Sequence, residues 1–505
     1  MPRDARSPSL LTELLDATED AQPAIGCGDA EFSYTELRSR IAGAAAALCD
    51  RGLRPGERVL VVLPNGEAFA TAVFAVWRAG GVVVPLDPRS PPQQIRRIAR
   101  DCRAAAIVCD GSTFSRVEER LREIPSLRFA VVERPAPRTY PQSLPAITYE
   151  DAVRCDAPAP DCAAHPRELA LLAYTSGTTG RPKGVMHSHE SLVASLRFTC
   201  EFLAVRPTDR VLVAFPMYHL FAFRVLLSHL MVGATVIAAS DILAGLRRVR
   251  ETRPNALILV PAACSLLAER FAPALVACAP ALRRVCIGSA AISPAALGRL
   301  RELLPEARIH LPYGMTEARV GFVEPVEGRA ERRLCAVDPN LELRVLDESG
   351  NPVHEGIGEA VLRGPALMLG YWHNRASENA QIREEGFHTR DLIEVTAAGE
   401  RFLVGRLDDV INVGGEKVFP AEVEAALLVH PQIRDAHAYR APDPRGVRGE
   451  VVKAEVVLSE GEFDREEILS HCRSHLEPYK LPAVIESVAE IARDGMSKVT
   501  RIGSA

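Results

Sequence analysis

The chain of 505 residues lacks the signatures of several common protein classes. Its twelve cysteines are scattered from Cys27 to Cys472 and none forms a CxxC pair. This excludes the usual zinc signature and favours buried thiols in a reducing compartment. The N-terminal segment has no apolar core of the kind that a signal peptide requires. The net charge of −5 argues against nucleic acid as the main partner.

The chain also has no apolar run long enough to cross a bilayer. The longest uncharged stretch, near 256–268, contains a proline and ends at Glu269 and Arg270. A membrane-spanning helix needs about 20 consecutive apolar residues. We therefore expect a soluble, cytoplasmic protein without a transmembrane segment. Peripheral contact with a membrane stays open, as does the oligomeric state.

What is present is typical of a globular α/β protein with more than one domain. Apolar residues make up 47% of the chain and charged residues 25%. A chain of this length exceeds what one core usually organises. Strand-like apolar runs alternate with helical patterns such as 67–78, which predicts parallel α/β layers. Seven prolines between Pro135 and Pro166 indicate a linker, after which the alternation resumes at Leu169.

The last hundred residues are predicted to form a separate small α+β module. Pro420 marks the start of a helix, and a strand at 451–458 and a helix at 466–476 follow. The segment 405–415, which contains two adjacent aspartates and two adjacent glycines, is typical of a mobile joint. We therefore predict an N-terminal domain over 1–404 and a mobile C-terminal domain over 405–505.

The most informative segment is 174–186, YTSGTTGRPKGVM, which follows the strand-like run 169–173. It contains three glycines, four serines or threonines, one lysine and one arginine. Accessible backbone N–H groups, hydroxyls and a cation are what a polyphosphate requires. The segment is not a Walker A loop, because Pro182 stands five positions after Gly177 where that pattern requires a second glycine. It predicts a nucleotide enzyme outside the P-loop class.

This string resembles the phosphate-binding signature of the adenylate-forming superfamily. That superfamily contains acyl- and aryl-CoA synthetases, nonribosomal peptide adenylation domains and beetle luciferases. Its further motifs occur in family order over residues 10–501. The resemblance implies a large α/β N-terminal domain and a small, mobile α+β C-terminal domain. It also implies that the phosphates of ATP are held by Thr175, Ser176, Gly177, Thr178, Thr179, Gly180 and Lys183.

The YGMTE sequence at 313–317 resembles the adenine- and metal-binding motif of the same superfamily. The resemblance implies that Tyr313 stacks on adenine, that Thr316 meets the phosphates and that Glu317 contacts Mg²⁺, a cation that prefers oxygen ligands. It further implies nucleotide contacts by Gly314 and Met315 and a metal contact by Thr178. The GSAAI sequence at 288–292 resembles the adenine-side loop, although the family often has a second glycine and a proline there. It adds Gly288, Ser289 and Ala290 to the nucleotide site.

The GFHTRDL sequence at 386–392 resembles the ribose-binding motif, with Asp391 as the residue that binds the diol. A carboxylate suits this role because it can accept hydrogen bonds from both hydroxyls. The family commonly has glycine where Arg390 stands. If the backbone required a positive φ there, the arginine would be strained by roughly 1 kcal/mol or more. We expect the Arg390 side chain to point to solvent.

The GRLDDVI sequence at 405–411 resembles the hinge motif, which implies that Arg406 reaches the ribose or the phosphates and that Asp408 lies where the C-terminal module rotates. In thioester-forming members the following glycine pair, here Gly414 and Gly415, lines the channel for the pantetheine arm of CoA.

Lys498, in DGMSKVTR at 494–501, resembles a C-terminal catalytic lysine. The resemblance implies that it contacts both the substrate carboxylate and the α-phosphate and offsets charge as these two anions meet. Ser497 stands where the family usually has glycine. Because the lysine itself is present, we expect adenylation to be retained.

His219, in FPMYHLFAF at 215–223, resembles the histidine of the acyl-pocket motif, which lies at the substrate carboxylate. Amino-acid-activating members usually carry an aspartate in this region to pair with the α-ammonium group, and this segment has none. The motif therefore predicts a carboxylic acid without an α-amino group. The aromatic and aliphatic neighbours favour an apolar chain or ring.

Together these motifs predict an AMP-forming acyl-CoA synthetase that uses ATP and Mg²⁺ and has CoA as its co-substrate. Two alternatives stay open for the acceptor: an acyl carrier protein loaded by a free-standing ligase, or a partner enzyme that takes the acyl group from acyl-AMP. A non-catalytic nucleotide-binding protein is the alternative from another class. Such a protein would usually have lost Lys498 or Glu317, and both are present.

Overall fold

The computed structural model describes residues 8–16, 18–134, 144–156, 164–175, 182–327, 329, 331–374, 380–443, 449–459 and 461–492. The strands up to residue 314 are β1 Pro23–Cys27, β2 Ala30–Ser33, β3 Arg58–Val62, β4 Val82–Pro85, β5 Ala106–Asp110, β6 Phe129–Glu133, β7 Ala146–Thr148, β8 Leu169–Thr175, β9 Lys183–Ser188, β10 Arg210–Val213, β11 Thr235–Ala238, β12 Ala256–Leu259, β13 Arg284–Ile287 and β14 Arg308–Gly314. The later strands are β15 Arg319–Pro325, β16 Arg332–Val337, β17 Glu342–Leu346, β18 Gly356–Arg363, β19 Gly370–Tyr371, β20 Ile382–Arg383, β21 Gly386–Val395, β22 Arg401–Arg406, β23 Ile411–Val413, β24 Glu416–Val418, β25 Ile433–Pro442, β26 Glu450–Leu458 and β27 Val484–Ser487.

The α-helices lie mainly between the strands of the first three hundred residues. They are α1 Tyr34–Asp50, α2 Glu67–Arg78, α3 Pro92–Asp101, α4 Gly111–Leu121, α5 Tyr149–Val153, α6 His189–Leu203, α7 Leu220–Val232, α8 Ile242–Arg247, α9 Val249–Thr252, α10 Pro261–Arg270, α11 Ala272–Cys278, α12 Pro294–Leu303, α13 Pro420–Leu428 and α14 Arg465–Arg473.

The larger sheet changes from parallel to antiparallel pairing at the position of the YGMTE motif. Its strand order is β17-β18-β21-β22-β16-β15-β14-β13-β12-β10-β11-β1-β2, and β20 pairs with β21. Strands β10 to β14 pair in parallel, whereas β14 and β15 pair antiparallel. Residues 315–318 connect these two strands. The motif therefore lies at the carboxyl end of the parallel strands, where ligands of open α/β sheets bind.

The second sheet carries the predicted phosphate loop. Its order is β19-β9-β8-β4-β3-β5-β6-β7, with parallel pairing from β8 to β7. Strands β8 and β9 pair antiparallel, with Thr175 opposite Lys183. The loop therefore joins two adjacent strands, and its flanking residues are held in register.

The interior strands read as continuous apolar runs because helices cover both faces of the parallel sheets. Strand β4 is buried throughout, and helix α2 is buried over 67–77. Helix α1 begins at a capping box, in which the Ser33 hydroxyl accepts from the N–H of Glu36 and the Glu36 carboxylate accepts from the N–H of Ser33. The α/β layers predicted from the alternating pattern are confirmed.

The described part of the proline-rich zone, residues 144–156, contains a strand and a helix. Strand β7 extends the second sheet beside β6, and helix α5 follows it with its Tyr149 side chain buried. The phenol of Tyr149 donates to the carboxylate of Glu67 at 2.6 Å. The interpretation of this zone as a linker was therefore wrong for residues 144–156, because the tertiary contacts outweigh the local proline content.

The C-terminal segment forms its own small core. Strands β25, β26 and β27 make a three-stranded sheet, on which buried residues of α13 and α14 pack. Pro420 is at the first position of α13, as expected for a residue that lacks an N–H donor. Helix α14 ends at Arg473, three residues before the expected end, and the Ser474 hydroxyl donates to the carbonyl of His471. A small α+β C-terminal domain is confirmed, while its boundary at 404/405 stays a prediction.

No single helix in the described ranges is both long and apolar enough to cross a membrane. One pair, Pro261–Arg270 with Ala272–Ala281, meets the criterion of length and composition only when both parts are joined across a bend of 102°.

Candidate active site

Three residues from separate motifs meet in one buried corner. The phenol of Tyr313, on β14, donates to Oδ2 of Asp391 at 2.7 Å. Oδ1 of Asp391 lies 3.1 Å from Nη1 of Arg406. Asp391 and Arg406 are direct neighbours across strands β21 and β22. We call Tyr313, Asp391 and Arg406 the ribose corner, after the role predicted for Asp391.

The ribose corner combines a buried acceptor with a more accessible cation. Asp391 is 6% exposed, whereas the Arg406 side chain is 44% exposed. Burial raises the pKa of Asp391, while the charge of Arg406 and the hydrogen bond from Tyr313 oppose that rise. The corner can therefore offer a ligand both a carboxylate that accepts from hydroxyls and a guanidinium that binds anions.

Glu317 is brought to the predicted phosphate loop by a residue that the sequence did not reveal. The phenol of Tyr371 donates to Oε1 of Glu317 at 2.7 Å. Lys183 places its ammonium group 5.5 Å from the centre of the same ring. Strand β19, which carries Tyr371, pairs with β9. No motif marked Tyr371, because its role depends on a strand pairing between distant segments.

The carboxylate of Glu317 fits a magnesium ligand. Its Oε2 accepts no hydrogen bond from a residue that the structure describes, so it can face a cation. The described ranges contain no group of three or more His, Cys, Asp or Glu side chains that could hold a metal by itself. Mg²⁺ is usually bound by one or two carboxylates together with substrate phosphates and water, and a single carboxylate such as Glu317 suits this mode of binding. Thr178, the second predicted ligand, lies outside the described residues.

The Thr316 carbonyl is held by a buried histidine. Nε2 of His187 lies 2.8 Å from this carbonyl oxygen, which can only accept, so His187 carries its proton on Nε2 and donates. Burial lowers the pKa of His187 to about 3, and the charge of Arg224 adds to the effect. His187 is therefore neutral at pH 7. Sequence reasoning missed it, since a histidine in an apolar strand has no motif around it.

Gly288 and the acyl-pocket motif lie against each other. A Cβ atom added to Gly288 would lie 2.7 Å from the Phe221 ring and 2.9 Å from Cγ of Pro312, so only glycine fits there. Ser289, which follows, has a positive φ of 80°. Ala290 is half-buried beside it. The predicted adenine-side loop and the segment 215–223 therefore border one site.

His219 stands at the N-terminal cap position of α7. Its ring stacks on Phe215, with centroids 5.3 Å apart and an interplanar angle of 22°. It also contacts the Tyr218 ring at 4.6 Å. This packing holds the imidazole at the end of the helix, next to the Phe221–Gly288 contact.

Arg390 does not point to solvent. Its φ is 65°, and its Nη2 lies 2.5 Å from Oδ1 of Asp408. Its backbone N–H donates to Oε1 of Glu359 at 2.9 Å. The expectation of a solvated side chain was wrong, because the positive φ directs Arg390 toward the predicted hinge. The strain anticipated for a non-glycine residue is present, and an ion pair accompanies it.

Asp408 has a second partner in the C-terminal segment. Nη2 of Arg440 donates to the backbone carbonyl of Asp408, while Arg390 holds the Asp408 carboxylate.

The glycine pair, Gly414 and Gly415, forms the turn between β23 and β24. Gly414 and Gly415 have φ values of 64° and 99°, the left-handed region that a tight hairpin turn of this kind requires. The N–H of Gly415 donates to the Asn412 side chain at 2.9 Å.

Part of the predicted site lies outside the described residues. This group comprises Ser176, Gly177, Thr178, Thr179, Gly180 and Lys498. Thr175 and Lys183, at the two ends of the phosphate loop, are described and pair with each other. Gly314 and Met315 lie at the turn between β14 and β15, where the N–H of Met315 donates to the carbonyl of Ala318.

Comparisons with known proteins agree with this geometry. The AMP-binding enzyme family matches residues 15–372, and its C-terminal domain matches residues 422–498. A feruloyl-CoA synthase of Amycolatopsis sp is 32% identical, over 95% of this chain and 94% of that protein. The 4-coumarate–CoA ligase of Pinus taeda is 30% identical, over 93% and 88%.

A solved structure gives the same result for the fold. ATP-bound MatB from Rhodopseudomonas palustris matches 97% of both chains with a TM-score of 0.85 and 26% identity. The matches extend over both the large domain and the small C-terminal domain. The chain therefore belongs to the AMP-binding enzyme family and is an ATP-dependent acid–thiol ligase.

Proposed function

We propose that the ribose corner binds the adenosine part of ATP and that the enzyme activates a carboxylic acid without an α-amino group, which is then transferred to CoA. The overall chemistry, formation of acyl-AMP followed by a thioester, is that of the acid–CoA ligases. The convergence of Tyr313, Asp391 and Arg406 is the observation that most supports the assignment of residues. Residues from three motifs, of which Tyr313 and Arg406 are 93 positions apart, are joined there by a hydrogen bond and an ion pair.

In the first step, a carboxylate oxygen of the acid attacks the α-phosphorus of ATP, and pyrophosphate leaves. Asp391 and Arg406 would hold the ribose, and the loop from Thr175 to Lys183 would hold the phosphates. Tyr313, Gly288, Ser289 and Ala290 would face the adenine, with Gly314, Met315 and Thr316 beside them. His219 would lie at the reacting carboxylate. Lys498 would offset the charge that develops when two anions approach each other.

Glu317 is the residue that we propose for Mg²⁺, with Thr178 as a further ligand. The free oxygen of the Glu317 carboxylate supports this assignment, and Tyr371 orients that carboxylate. When bound, Mg²⁺ would supply positive charge to the phosphates of ATP.

In the second step, the sulfur of CoA attacks the acyl carbon of acyl-AMP, and AMP leaves. We propose that the domain beginning at 405 rotates near Asp408 between the steps. This rotation would withdraw Lys498 and bring Gly414 and Gly415 to the site. Asp408 is held by side chains from both sides of the hinge, Arg390 and Arg440, which supports its position as the pivot.

The acyl group is proposed to carry an aromatic ring. Phe215, Phe221 and the ring of His219 surround the segment predicted for the acyl pocket. The relatives named for ferulic and coumaric acids point to the same class of substrate. A cytoplasmic location is part of this proposal, and it is supported because no disulfide joins the cysteines that the structure describes.

The proposal is tested by mass spectrometry with ATP, Mg²⁺ and a panel of aryl, fatty and alicyclic acids, each with and without CoA. We expect acyl-AMP without CoA and acyl-CoA with it. Acyl-AMP that persists in the presence of CoA would contradict CoA as the acceptor and favour a carrier protein or partner enzyme. Failure to form either product from any acid would contradict the activity.

Lys498→Ala tests the catalytic assignment. We expect the rate of acyl-AMP formation to fall by about 10²–10³-fold, the typical effect of removing a group that stabilises developing charge. ATP binding should persist, as measured by calorimetry. Lys453→Ala is the matched control, because Lys453 lies in the same C-terminal domain and pairs there with Glu486. A Lys498→Ala enzyme with the parent's rate would show that the assignment is wrong.

A further inference from the structure

One side-chain amide joins the second sheet to the segment that carries His219. Asn65 follows β3 of the second sheet, and it is half-buried. Its Nδ2 donates to the carbonyls of Phe215 at 3.1 Å and Ala239 at 2.9 Å, and its Oδ1 accepts from the N–H of Met217 at 2.7 Å. These partners lie 150 or more positions away in the chain, so only the tertiary structure reveals the contact.

The three hydrogen bonds fit the amide of Asn65 in a single orientation. A side-chain amide has two N–H donors and one carbonyl acceptor. Both donors of Asn65 meet backbone carbonyls, and its oxygen meets a backbone N–H. A rotation of the group by half a turn would place donors against the N–H of Met217 and the oxygen against two carbonyls. Aspartate has nearly the same size, but it offers no donor when it is ionised.

The residues that Asn65 binds are also the residues that hold His219. Phe215 and Met217 stand on either side of Pro216, and the carbonyl of Pro216 accepts from the N–H of His219 at 3.1 Å. The Phe215 ring stacks on the imidazole of His219, with centroids 5.3 Å apart. The backbone and the ring of His219 are therefore both held by the stretch 215–217, which Asn65 binds at its two ends.

This contact lies where parallel strands of both sheets end. Asn65 follows β3, the stretch 215–217 follows β10, and Ala239 follows β11. The N–H of Ala239 donates to the carbonyl of Val213, the last residue of β10, at 3.0 Å. Residues 214–219 belong to no helix or strand, so their position depends on such contacts rather than on a regular backbone ladder. Ligands of open α/β sheets bind outside these strand ends.

We propose that Asn65 is a positioning residue for His219, which keeps the imidazole at the place where the carboxylate of the acid reacts. This inference rests on the proposed function, because that function puts His219 at the reacting carboxylate. Asn65 acts through the stretch 215–217 and does not itself touch the acid or ATP. A displacement of about 1 Å near the reacting atoms can lower the rate by about 10²-fold. Loss of Asn65 should therefore impair the use of the acid and spare the binding of ATP.

The test is a double-mutant cycle in the full-length enzyme, which measures whether two residues act through each other. Pyrophosphate release with ATP, Mg²⁺ and ferulate, benzoate or hexanoate gives kcat/KM for the parent, Asn65→Ala, His219→Ala and the double variant. The KM for ATP and the melting temperature are measured for each enzyme. Asn65→Asp is added, because it keeps the volume of the side chain and removes its donors.

Asn255→Ala is the matched control at the opposite end of β10. The Asn255 side chain is also half-buried. Its Oδ1 accepts from the N–H of Arg210, the first residue of β10, at 3.0 Å, and its Nδ2 donates to Asp209 at 3.1 Å. This variant should lower the melting temperature, but it should change kcat/KM for the acid by less than about threefold, well under 1 kcal/mol in the activation free energy.

We expect Asn65→Ala and Asn65→Asp each to lower kcat/KM for the acid by about 10–100-fold and to change the KM for ATP by less than about threefold. His219→Ala should lower kcat/KM for the acid in the parent. In the Asn65→Ala background it should cost less than about threefold more, because the imidazole is already displaced there.

Losses of kcat/KM that multiply in the double variant would show that Asn65 and His219 act independently, and would overturn the inference. A loss in Asn255→Ala as large as that in Asn65→Ala would overturn it too. So would Asn65 variants without a cooperative unfolding transition, since Asn65 would then hold the whole fold. Each of these results leaves the proposed function intact.

The proposed function fails in a different way. A parent enzyme that released no pyrophosphate with any of the three acids would contradict the proposed activity, and this inference with it. His219→Ala with the parent's kcat/KM would show that the proposed role of His219 is wrong, and Asn65 would then have nothing to position.

Discussion

Two groups of buried arginines at the larger sheet differ in how their charge is compensated. In the first, which we call the Asp209 cluster, Asp209 pairs with Arg283 and Arg284, both at 2.7 Å. Asp209 also accepts from the N–H of Arg206 and the side-chain amide of Asn255. In the second, which we call the Arg224 pair, Nε of Arg224 and of Arg319 has no hydrogen-bond partner among the residues that the structure describes.

The two groups differ in how completely ion pairs and hydrogen bonds satisfy the guanidinium groups. Nη1 of Arg284 donates to the carbonyl of Leu203 at 3.1 Å, and its Nη2 lies 3.3 Å from Nε2 of His229. The Asp209 cluster is thus complete without any ligand, and it joins β13 to the segments before β10 and after α6. The Arg224 pair instead joins helix α7 to strand β15, and Asp338 is the buried carboxyl group that acts on both arginines.

The largest effect is expected from breaking the Asp209 cluster. Asp209→Ala leaves Arg284, whose side chain is 5% exposed, without its anion. Removing one partner of a buried ion pair typically lowers the free energy of unfolding by about 3–5 kcal/mol. Urea denaturation followed by circular dichroism measures this loss. Glu348→Ala, which removes an exposed ion pair with Lys417, is the control and should cost less than about 1 kcal/mol. Similar losses in the two variants would contradict the structural role of Asp209.

Acid should weaken the same cluster through His229. Burial lowers the pKa of His229 to about 4, and the charge of Arg284 adds to the effect. The unfolded chain takes up a proton near pH 6.5, whereas the folded chain does so near pH 4. Neutral His229 therefore contributes about 3 kcal/mol to the free energy of unfolding. This contribution is complete above pH 6.5 and is lost as the pH falls toward 4.

His229→Gln isolates this contribution, because glutamine cannot be protonated in this range. We expect a shallower decrease of the melting temperature between pH 7 and pH 4.5 than in the parent. His475→Gln provides a control, because His475 is exposed. A pH profile of His229→Gln that coincides with that of the parent would count against the assignment.

The Arg224 pair should respond in the opposite direction. Arg224→Met removes one of two neighbouring buried cations and leaves Arg319 with Asp338. Replacing buried charge by apolar groups of similar volume is often neutral or stabilising. We therefore expect the free energy of unfolding to rise by about 1 kcal/mol or to stay unchanged. Arg284→Met, the same substitution in the Asp209 cluster, should lower the free energy of unfolding. A lower free energy of unfolding in both variants would contradict the difference between the two groups of arginines.

The smallest effect is expected at the partly exposed ion pair between Arg390 and Asp408. Arg390→Gly relieves the strain at φ 65°, about 1 kcal/mol, but removes the ion pair, whose contribution is of similar size. The melting temperature should therefore hardly change. Arg390→Ala loses the ion pair and keeps most of the strain, so it should be less stable than Arg390→Gly by up to about 1 kcal/mol. Equal stability of the two variants would contradict the strained backbone.

Local sequence predicted most elements closely. Helix α2 has the predicted bounds 67–78, and β8 contains the expected run 169–173. These segments have an unbroken apolar pattern, so burial and local preference agree. The proline-rich zone was misjudged, because β7 and α5 are stabilised by contacts with β6 and with Glu67 that no local pattern reveals.

The motifs of the site were recognised, but several of its partners were not. The hydrogen bond between Tyr313 and Asp391 joins residues 78 positions apart, and both were selected from the sequence. Tyr371, His187 and Arg224 were missed, because each stands in a segment whose pattern is that of an ordinary core strand or helix. Arg390 was noticed as a departure from the family, yet the direction of its side chain required the backbone φ.

The sequence by itself determined the family, the order of the motifs, the small C-terminal domain and the residues expected at the nucleotide, since each of these depends on short strings of neighbouring residues. The tertiary structure alone decided which charges are compensated. Pairing depends on which side chains the sheet register and helix faces bring within a few ångström, and residues such as Arg224, Arg319 and Asp338 are far apart in the chain. Buried arginines therefore form a fully paired cluster at Asp209, whereas in the Arg224 pair Nε of each arginine has no hydrogen bond within the described part of the chain.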